Sequence, residues 1–372
     1  ATRDVYESHP DWFARKADGE PYGSNERVTA CVNSPYYREY LPDILREIIE
    51  RYEPDGFTDN SWTGLGFHSI CYCEHCVESF KKETGEALPA QPDWDDPVYR
   101  IWVRWNYKVR VDNWKLNNKV TQAAGGPDCL WLGMVNANPM QTHLNFCDLR
   151  GVCEGMPVVM TDHQSRDATN GFERNGLNGK LLHELAGWDA LIPESMAHYV
   201  RGVRPFRKAS MPALDVQTWM QEGMAGGISP WWHHIGARHE DRRQFQSTVA
   251  LQNWHAENED ILYDREPIAD IGLVWSQDNI DFYGREDVAD AVAMPWRGWT
   301  RAMTRARIPF LPVHADKIAP QAGRFRVLIL PCFAAISDEQ ADAVQAFVEN
   351  GGSVVATGNT GYLDPDGVPR YA

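Results

Sequence analysis

Four cysteines in this chain have the spacing of metal ligands. Cys71, Cys73 and Cys76 form a C-x-C-x-x-C run, and Cys31 stands upstream, just before a predicted helix. Three thiolates in one tight loop suit a tetrahedral ion with soft ligands, and zinc is the ion expected. Cys31 is the natural fourth ligand, with His75 and His68 as alternatives. Four protein ligands leave no open position for water, so the centre would be structural. A disulfide or free buried thiols is the plainer reading, but three cysteines this close cannot all pair locally. Cys129, Cys147 and Cys153 show no ligand spacing and read as core residues. A reduced cluster suits a reducing compartment such as the cytoplasm.

Acids form the second set. Asp59, Asp162, Glu194 and Asp215 each stand at or near the end of a short apolar run. Two carboxyl groups facing each other across a sugar could hydrolyse a glycosidic bond, about 5–5.5 Å apart for retention and about 6.5–9.5 Å for inversion. Asp59 and Asp215 are the first choices as catalytic acids, and Glu194 the third. Singly, each reads equally well as a helix cap or a salt-bridge partner. As a set on successive strand ends they point to one pocket. The run Trp231-Trp232-His233-His234 supplies rings that stack on sugar faces and imidazoles that read hydroxyls. Asn60, Trp62, Asp162 and His163 complete the expected sugar-binding set. Joint metal ligation by His233 and His234 is disfavoured, because neighbours on a strand point to opposite faces.

These residues need a scaffold that brings strand ends together. Residues 34–52 read as an amphipathic helix, and further helices are expected over 98–123 and 195–208. Between the helices lie apolar segments ending in polar groups: one ending at Asp59 and Asn60, Leu130–Val135, Pro157–Met160, Ala213–Leu214 and Ile228–Pro230. Repeated strand-then-helix units with polar exits describe a (β/α)8 barrel with its site at that end. Five exits can be counted, so roughly three strands would precede Ala1. An open doubly wound sheet is the rival, and no Gly-rich phosphate loop supports it. From residue 265 the texture changes. Strands are expected at 268–275, 308–313, 326–331 and 353–357, with helices over 296–307 and from Ser337 to Val348, where Ser337 and Gln340 form a capping box. The expectation is therefore an α/β chain: a TIM barrel lacking its N-terminal strands over 1–264, then a truncated flavodoxin-like domain over 265–372. Cys332 follows a strand there, as a nucleophile does in amidotransferase-like folds, but a structural thiol is the better reading. The opening on Ala1 and the turn-rich close at 361–367 suggest a fragment.

The 372 residues carry a formal charge of −16, which repels phosphate backbones and argues against nucleic-acid binding. No window approaches the ~18 continuous apolar residues of a membrane span. With 15 Trp and 14 Tyr, the composition fits a neutral, polyhydroxylated ligand.

The order of these elements resembles the family 42 glycoside hydrolases (β-galactosidases) and the group described as hypothetical glycosyl hydrolase 6. The resemblance rests on Cys31 with Cys71, Cys73 and Cys76, on Ala225–His234 leading into the last barrel strand, and on residues 267–372 as a trimerisation domain. It implies a retaining glycoside hydrolase, a structural zinc, no organic cofactor and a homotrimer. It also exposes a departure. The family's acid/base is the Glu of an Asn-Glu pair closing the fourth strand, and this chain has Asn60-Ser61 there. A hydroxyl cannot serve as a general acid near neutral pH. The resemblance places the nucleophile near the end of the seventh strand, with Asp215 as the nearest match. Tyr52–Asp59 is also similar to the strand bearing the Asp nucleophile of α-L-fucosidases, which would make Asp59 the nucleophile. A sugar-binding pseudoenzyme is the third possibility, prompted by Ser61.

Overall fold

The computed structural model describes residues 2–24, 26–58, 64–163, 171–197, 210–233, 241–265 and 267–370. These fall into two compact units. The first holds Ala1–Met134 with Gln141–Val152, and the second Val135–Met140 with Cys153–Ala372.

In the first unit, helix α1 (Leu41–Tyr52) follows a π-helical turn and buries Pro42, Leu45 and Ile49 on one stripe. It stops at Glu53, whose φ of 45° is left-handed. Strand β1 (Gly56–Phe57) comes next, and α2 (Glu74–Thr84) starts inside the cysteine run. The long helix α3 (Pro97–Gly125) has a complete start signal: Pro97 at its first position and an Asp96 carboxylate accepting from the Val98 N–H at 2.8 Å. Strand β2 (Leu130–Trp131) pairs in parallel with β1. The expected run to Val135 breaks at Gly133, whose φ is positive and whose backbone packs on the Trp114 ring.

The second unit contains two parallel sheets. One is ordered β3 (Thr161–Asp162), β4 (Ile192–Ala197), β5 (Ile228–His233). Helix α4 (Glu173–Ala186) joins β3 to β4, and α5 (Ala213–Ala225) precedes β5. Two sequence expectations are corrected here. Ala213–Asp215 is not a strand end. It opens α5, because Val216, Trp219, Met220, Gly223 and Met224 recur at helical spacing and are the residues it buries. Residues 195–197, expected in a helix, belong to β4. Pro193 and the polar Glu194 break the apolar pattern that would have announced that strand.

The other sheet is ordered β7 (Phe310–His314), β6 (Ile271–Trp275), β8 (Val327–Pro331), β9 (Ser353–Thr357), all parallel. Helix α6 (Met294–Ala306) lies between β6 and β7 in sequence, and α7 (Asp338–Glu349) between β8 and β9. Val274, Leu311, Val313, Leu328, Leu330 and Phe347 make its core. The expected capping box opens α7: the Ser337 hydroxyl accepts from the Gln340 N–H, and the Gln340 side chain accepts from the Ser337 N–H. No described helix is long and apolar enough to cross a membrane.

Candidate functional site

The sulfur atoms of Cys31, Cys71, Cys73 and Cys76 lie within 4.8 Å of one another, and all four residues are buried. Cys31 Sγ is 3.4 Å from both Cys76 Sγ and Cys73 Sγ. Tetrahedral ligation at about 2.3 Å per Zn–S bond needs sulfurs roughly 3.8 Å apart, so the cluster has metal dimensions, not the ~2 Å of a disulfide. The thiols are all free. Hydrogen bonding with Cys31 pulls the Cys71 and Cys73 thiols down, while Cys71 holds Cys31 up and Cys31 holds Cys76 up. The chain builds the cluster from the loop before α2, whose first turn carries Cys76, and from Cys31, whose N–H is tied to the Trp12 carbonyl at 2.9 Å. His68 and His75 are not part of the cluster.

The strand-borne acids divide between two faces of one sheet. Thr161 of β3 pairs with Glu194 of β4, and Asp162 with Ser195. Glu194 pairs with Pro230 of β5, and Ser195 with Trp231. Alternation therefore puts Glu194 on one face and Asp162 with Trp231 on the other. The Glu194 face is covered by α4 and α5. Asn175 Nδ2 donates to Glu194 Oε2 at 2.8 Å and to the Trp219 carbonyl at 3.0 Å. The two helices approach so closely that a Cβ on Gly179 would lie 2.5 Å from the Gly226 carbonyl oxygen.

Glu194 is 0 % exposed, and burial pushes its carboxyl well above the usual range. Buried His163, beside it, is pulled down to about 3, first by burial and then by Arg174. Asn178 donates to His163 Nδ1 at 2.5 Å, which fixes the proton of the neutral ring on Nε2. The His163 ring packs edge-on against Trp219. Among the described residues, Glu194 Oε1, His163 Nε2, Thr161 Oγ1 and Asn175 Oδ1 have no hydrogen-bond partner. This is a buried polar cluster in which burial favours the neutral acid and the neutral imidazole. His163 and Glu194, both expected at a sugar site, are thus buried and bonded to side chains of α4. Sequence reasoning missed Asn175 and Asn178, although their i, i+3 spacing on a helix was a usable signal.

On the opposite face, Asp162 is half-buried and Trp231 is 41 % exposed. Ser195 lies between them in register, so their backbones are two strand spacings apart, about 9–10 Å. Trp232 and His233 belong to β5, but their side chains fall outside the described set. Asp59, Asn60, Trp62 and His234, and also Ser61, lie outside the described residues. Asp215 sits half-buried in the first turn of α5, where an acid favours the helix dipole. Cys332 adopts a left-handed φ of 49° after β8, and Gly358 closes over it: a Cβ there would lie 2.6 Å from the thiol.

Parallel β/α units with polar groups at strand ends are the fold class of many sugar-cleaving enzymes, and the comparisons agree. The family model described as "Hypothetical glycosyl hydrolase 6" matches residues 1–61. The chain is 21 % identical to the β-galactosidase BgaH of Haloferax lucentense, over 97 % of this chain and 62 % of that protein. The β-galactosidase of Bacillus circulans sp. alkalophilus superposes with a TM-score of 0.77 at 16 % identity, covering 99 % of this chain and 61 % of that one. α-L-Fucosidase isoenzyme 2 of Paenibacillus thiaminolyticus gives 0.62 at 16 % identity, over 96 % of this chain and 50 % of that one. The expected likeness to β-galactosidases holds, and the chain spans about three fifths of the length of the curated relatives it matches.

Proposed function

We propose that this chain is part of a glycoside hydrolase that cleaves a terminal sugar, with a β-galactoside as the first substrate to try. The observation that carries the reading is the register of Asp162, Ser195 and Trp231 on one face of three parallel strands. A carboxylate and a stacking ring carried on backbones about 9–10 Å apart leave room for one sugar ring between them. On this reading the strands are those of a (β/α)8 barrel over residues 1–264, and residues 265–372 form a flavodoxin-like trimerisation domain. The order β7-β6-β8-β9, with helices between the strands in sequence, supports the second assignment.

Asp162 is the strand-end acid best placed to act on a bound sugar. Asp59, at the exit of β1, is proposed as a second catalytic acid on sequence grounds. Asp215 we assign to the α5 terminus, and Glu194 to holding β4 against its helices. Trp231, with Trp232, His233, His234, Asn60 and Trp62, would bind the sugar. The cysteine cluster we propose to hold zinc, which would bind the loop before α2 to the segment around Cys31 and take no part in the chemistry.

Full-length protein assayed on nitrophenyl β-galactoside and α-fucoside tests the reading. Turnover of the galactoside supports it, and fucoside turnover alone favours the fucosidase-like alternative. Sugar binding without turnover on either supports a carbohydrate-binding pseudoenzyme, the second reading. That reading is favoured by Ser61 and by the placement of Glu194 on the helix-covered face.

A further inference from the structure

We propose that Asn33 is the positioning residue of the cysteine centre: its two N–H groups hold the Cys31 sulfur opposite the Cys76 sulfur and so set how tightly the centre takes a divalent metal. The inference rests on reading the four cysteines as a metal site, and it concerns what places the fourth sulfur.

Three of the sulfurs come from one short loop. Cys71, Cys73 and Cys76 are kept together by the chain itself, and the Cys76 and Val77 N–H groups close the loop on the Cys73 carbonyl at 3.0 Å. Cys31 arrives from a segment 45 residues before Cys76. Bringing it in costs loop-closure entropy, which contacts between the two segments must offset.

Asn33 supplies such contacts. Its backbone N–H donates to Cys31 Sγ at 3.4 Å, and its side-chain Nδ2 donates to Cys76 Sγ at 3.4 Å. The two sulfurs it touches are themselves 3.4 Å apart. One residue therefore spans the junction between the segments.

The amide has one orientation. Arg38 Nη2 donates to Asn33 Oδ1 at 3.4 Å, and a guanidinium has no acceptor, so the oxygen faces Arg38 and the nitrogen is left for sulfur. Arg38 lies in the π-helical turn Tyr36–Tyr40 before α1. The turn that carries Asn33 is fixed independently. The Ser34 hydroxyl and N–H both donate to the Cys31 carbonyl, at 2.7 and 3.1 Å, and Asn113 of α3 donates to the Val32 carbonyl at 2.9 Å. Polar groups that orient metal ligands in this way change affinity without touching the ion, and an N–H aimed at a bound sulfur draws electron density from it.

The test uses full-length protein carrying Asn33→Leu or Asn33→Asp. Zinc affinity is read by chelator competition, and the sulfur environment by the thiolate-to-cobalt charge-transfer bands of cobalt-substituted protein. Asn33 is half-buried, and Leu is close to it in size. Asn33→Leu removes the amide and keeps the backbone N–H. It should weaken zinc binding about 10–100-fold and move the charge-transfer bands to longer wavelength, because the Cys76 sulfur loses its amide donor. The tetrahedral ligand-field bands should stay, since all four sulfurs stay. Asn33→Asp keeps an oxygen for Arg38 and replaces the N–H donor by a second oxygen, so it should weaken zinc at least as much as Asn33→Leu. Unchanged affinity and bands in Asn33→Leu, or wild-type affinity in Asn33→Asp, overturns the proposal and leaves the metal site standing. Wild type that takes up neither zinc nor cobalt removes the cysteine reading and this inference with it. Should Asn33→Leu not fold, the isosteric Asn33→Asp carries the same test.

Discussion

Two buried polar clusters in this protein solve the same problem in opposite ways. Around Cys31, Cys71, Cys73 and Cys76, the chain gathers four ionisable sulfurs within 4.8 Å. Around Glu194, His163, Asn175 and Asn178, it gathers groups whose neutral forms burial favours, an acid pushed up and an imidazole pulled down. The first arrangement is tolerable underground because a cation would absorb its charge, the second because its members carry none. An ionisable group in the interior therefore says little about function until its means of neutrality is known.

Five perturbations sharpen that contrast. Removing metal should have the largest effect. The free energy of a structural zinc site is of order 10 kcal/mol in zinc-dependent peptides, so chelation should destabilise the unit around Cys31 by several kcal/mol. Denaturant unfolding with and without chelator measures this, and superimposable curves would break the comparison.

The second effect is a pH dependence from the Glu194 cluster. His163 has a folded pKa near 3, below its unfolded value of about 6.5. Its contribution is complete above pH ~6.5 and is lost as pH falls toward 3, by several kcal/mol in all. Glu194 is raised on folding, so its contribution is complete below its unfolded pKa of about 4.3 and is lost as pH rises through the folded value. Glu194→Gln, which mimics the neutral acid, should remove that alkaline loss and so gain on wild type as pH rises. Parallel stability–pH curves for the two proteins would mean that Glu194 is ionised in the fold.

Third, Glu194→Ala leaves the Asn175 amide short of an acceptor at a site that is 0 % exposed, a loss of about 1–3 kcal/mol at pH 5 by thermal unfolding. Gly176→Ala should cost about the same, because a Cβ there would lie 2.7 Å from the Glu222 carbonyl oxygen and pry α4 from α5. Smallest is Glu194→Gln at pH 5, expected within ~1 kcal/mol of wild type. A large loss there would show that the carboxyl does something an amide cannot.

The two clusters were unequally legible in the sequence. Three of the sulfurs announce themselves because a metal loop needs ligands a few residues apart, and Cys31 was assignable from its place before α1. The Glu194 cluster draws on β3, α4, β4 and α5, and no local spacing joins them. Pro193 conceals strand β4, and the start of α5 reads as a strand because Ala213-Leu214 is apolar and the helical period begins only at Val216. Asp215 therefore lies in the first turn of a helix and Glu194 inside a strand, positions that no local spacing distinguishes in the sequence. The second sheet was easier. Three runs of mostly buried apolar residues and a fourth, Ser353–Thr357, carrying two valines, with a capping box between the last two, leave little room for another reading.

Which face of the β3–β4–β5 sheet does the work is settled most directly by kcat/KM on nitrophenyl β-galactoside for full-length wild type, Asp162→Asn and Glu194→Gln. The account predicts turnover by wild type, a loss of about 100-fold or more in Asp162→Asn, and near-wild-type activity in Glu194→Gln. Full activity in Asp162→Asn together with collapse in Glu194→Gln would contradict it, by moving the chemistry to the face now packed beneath α4 and α5.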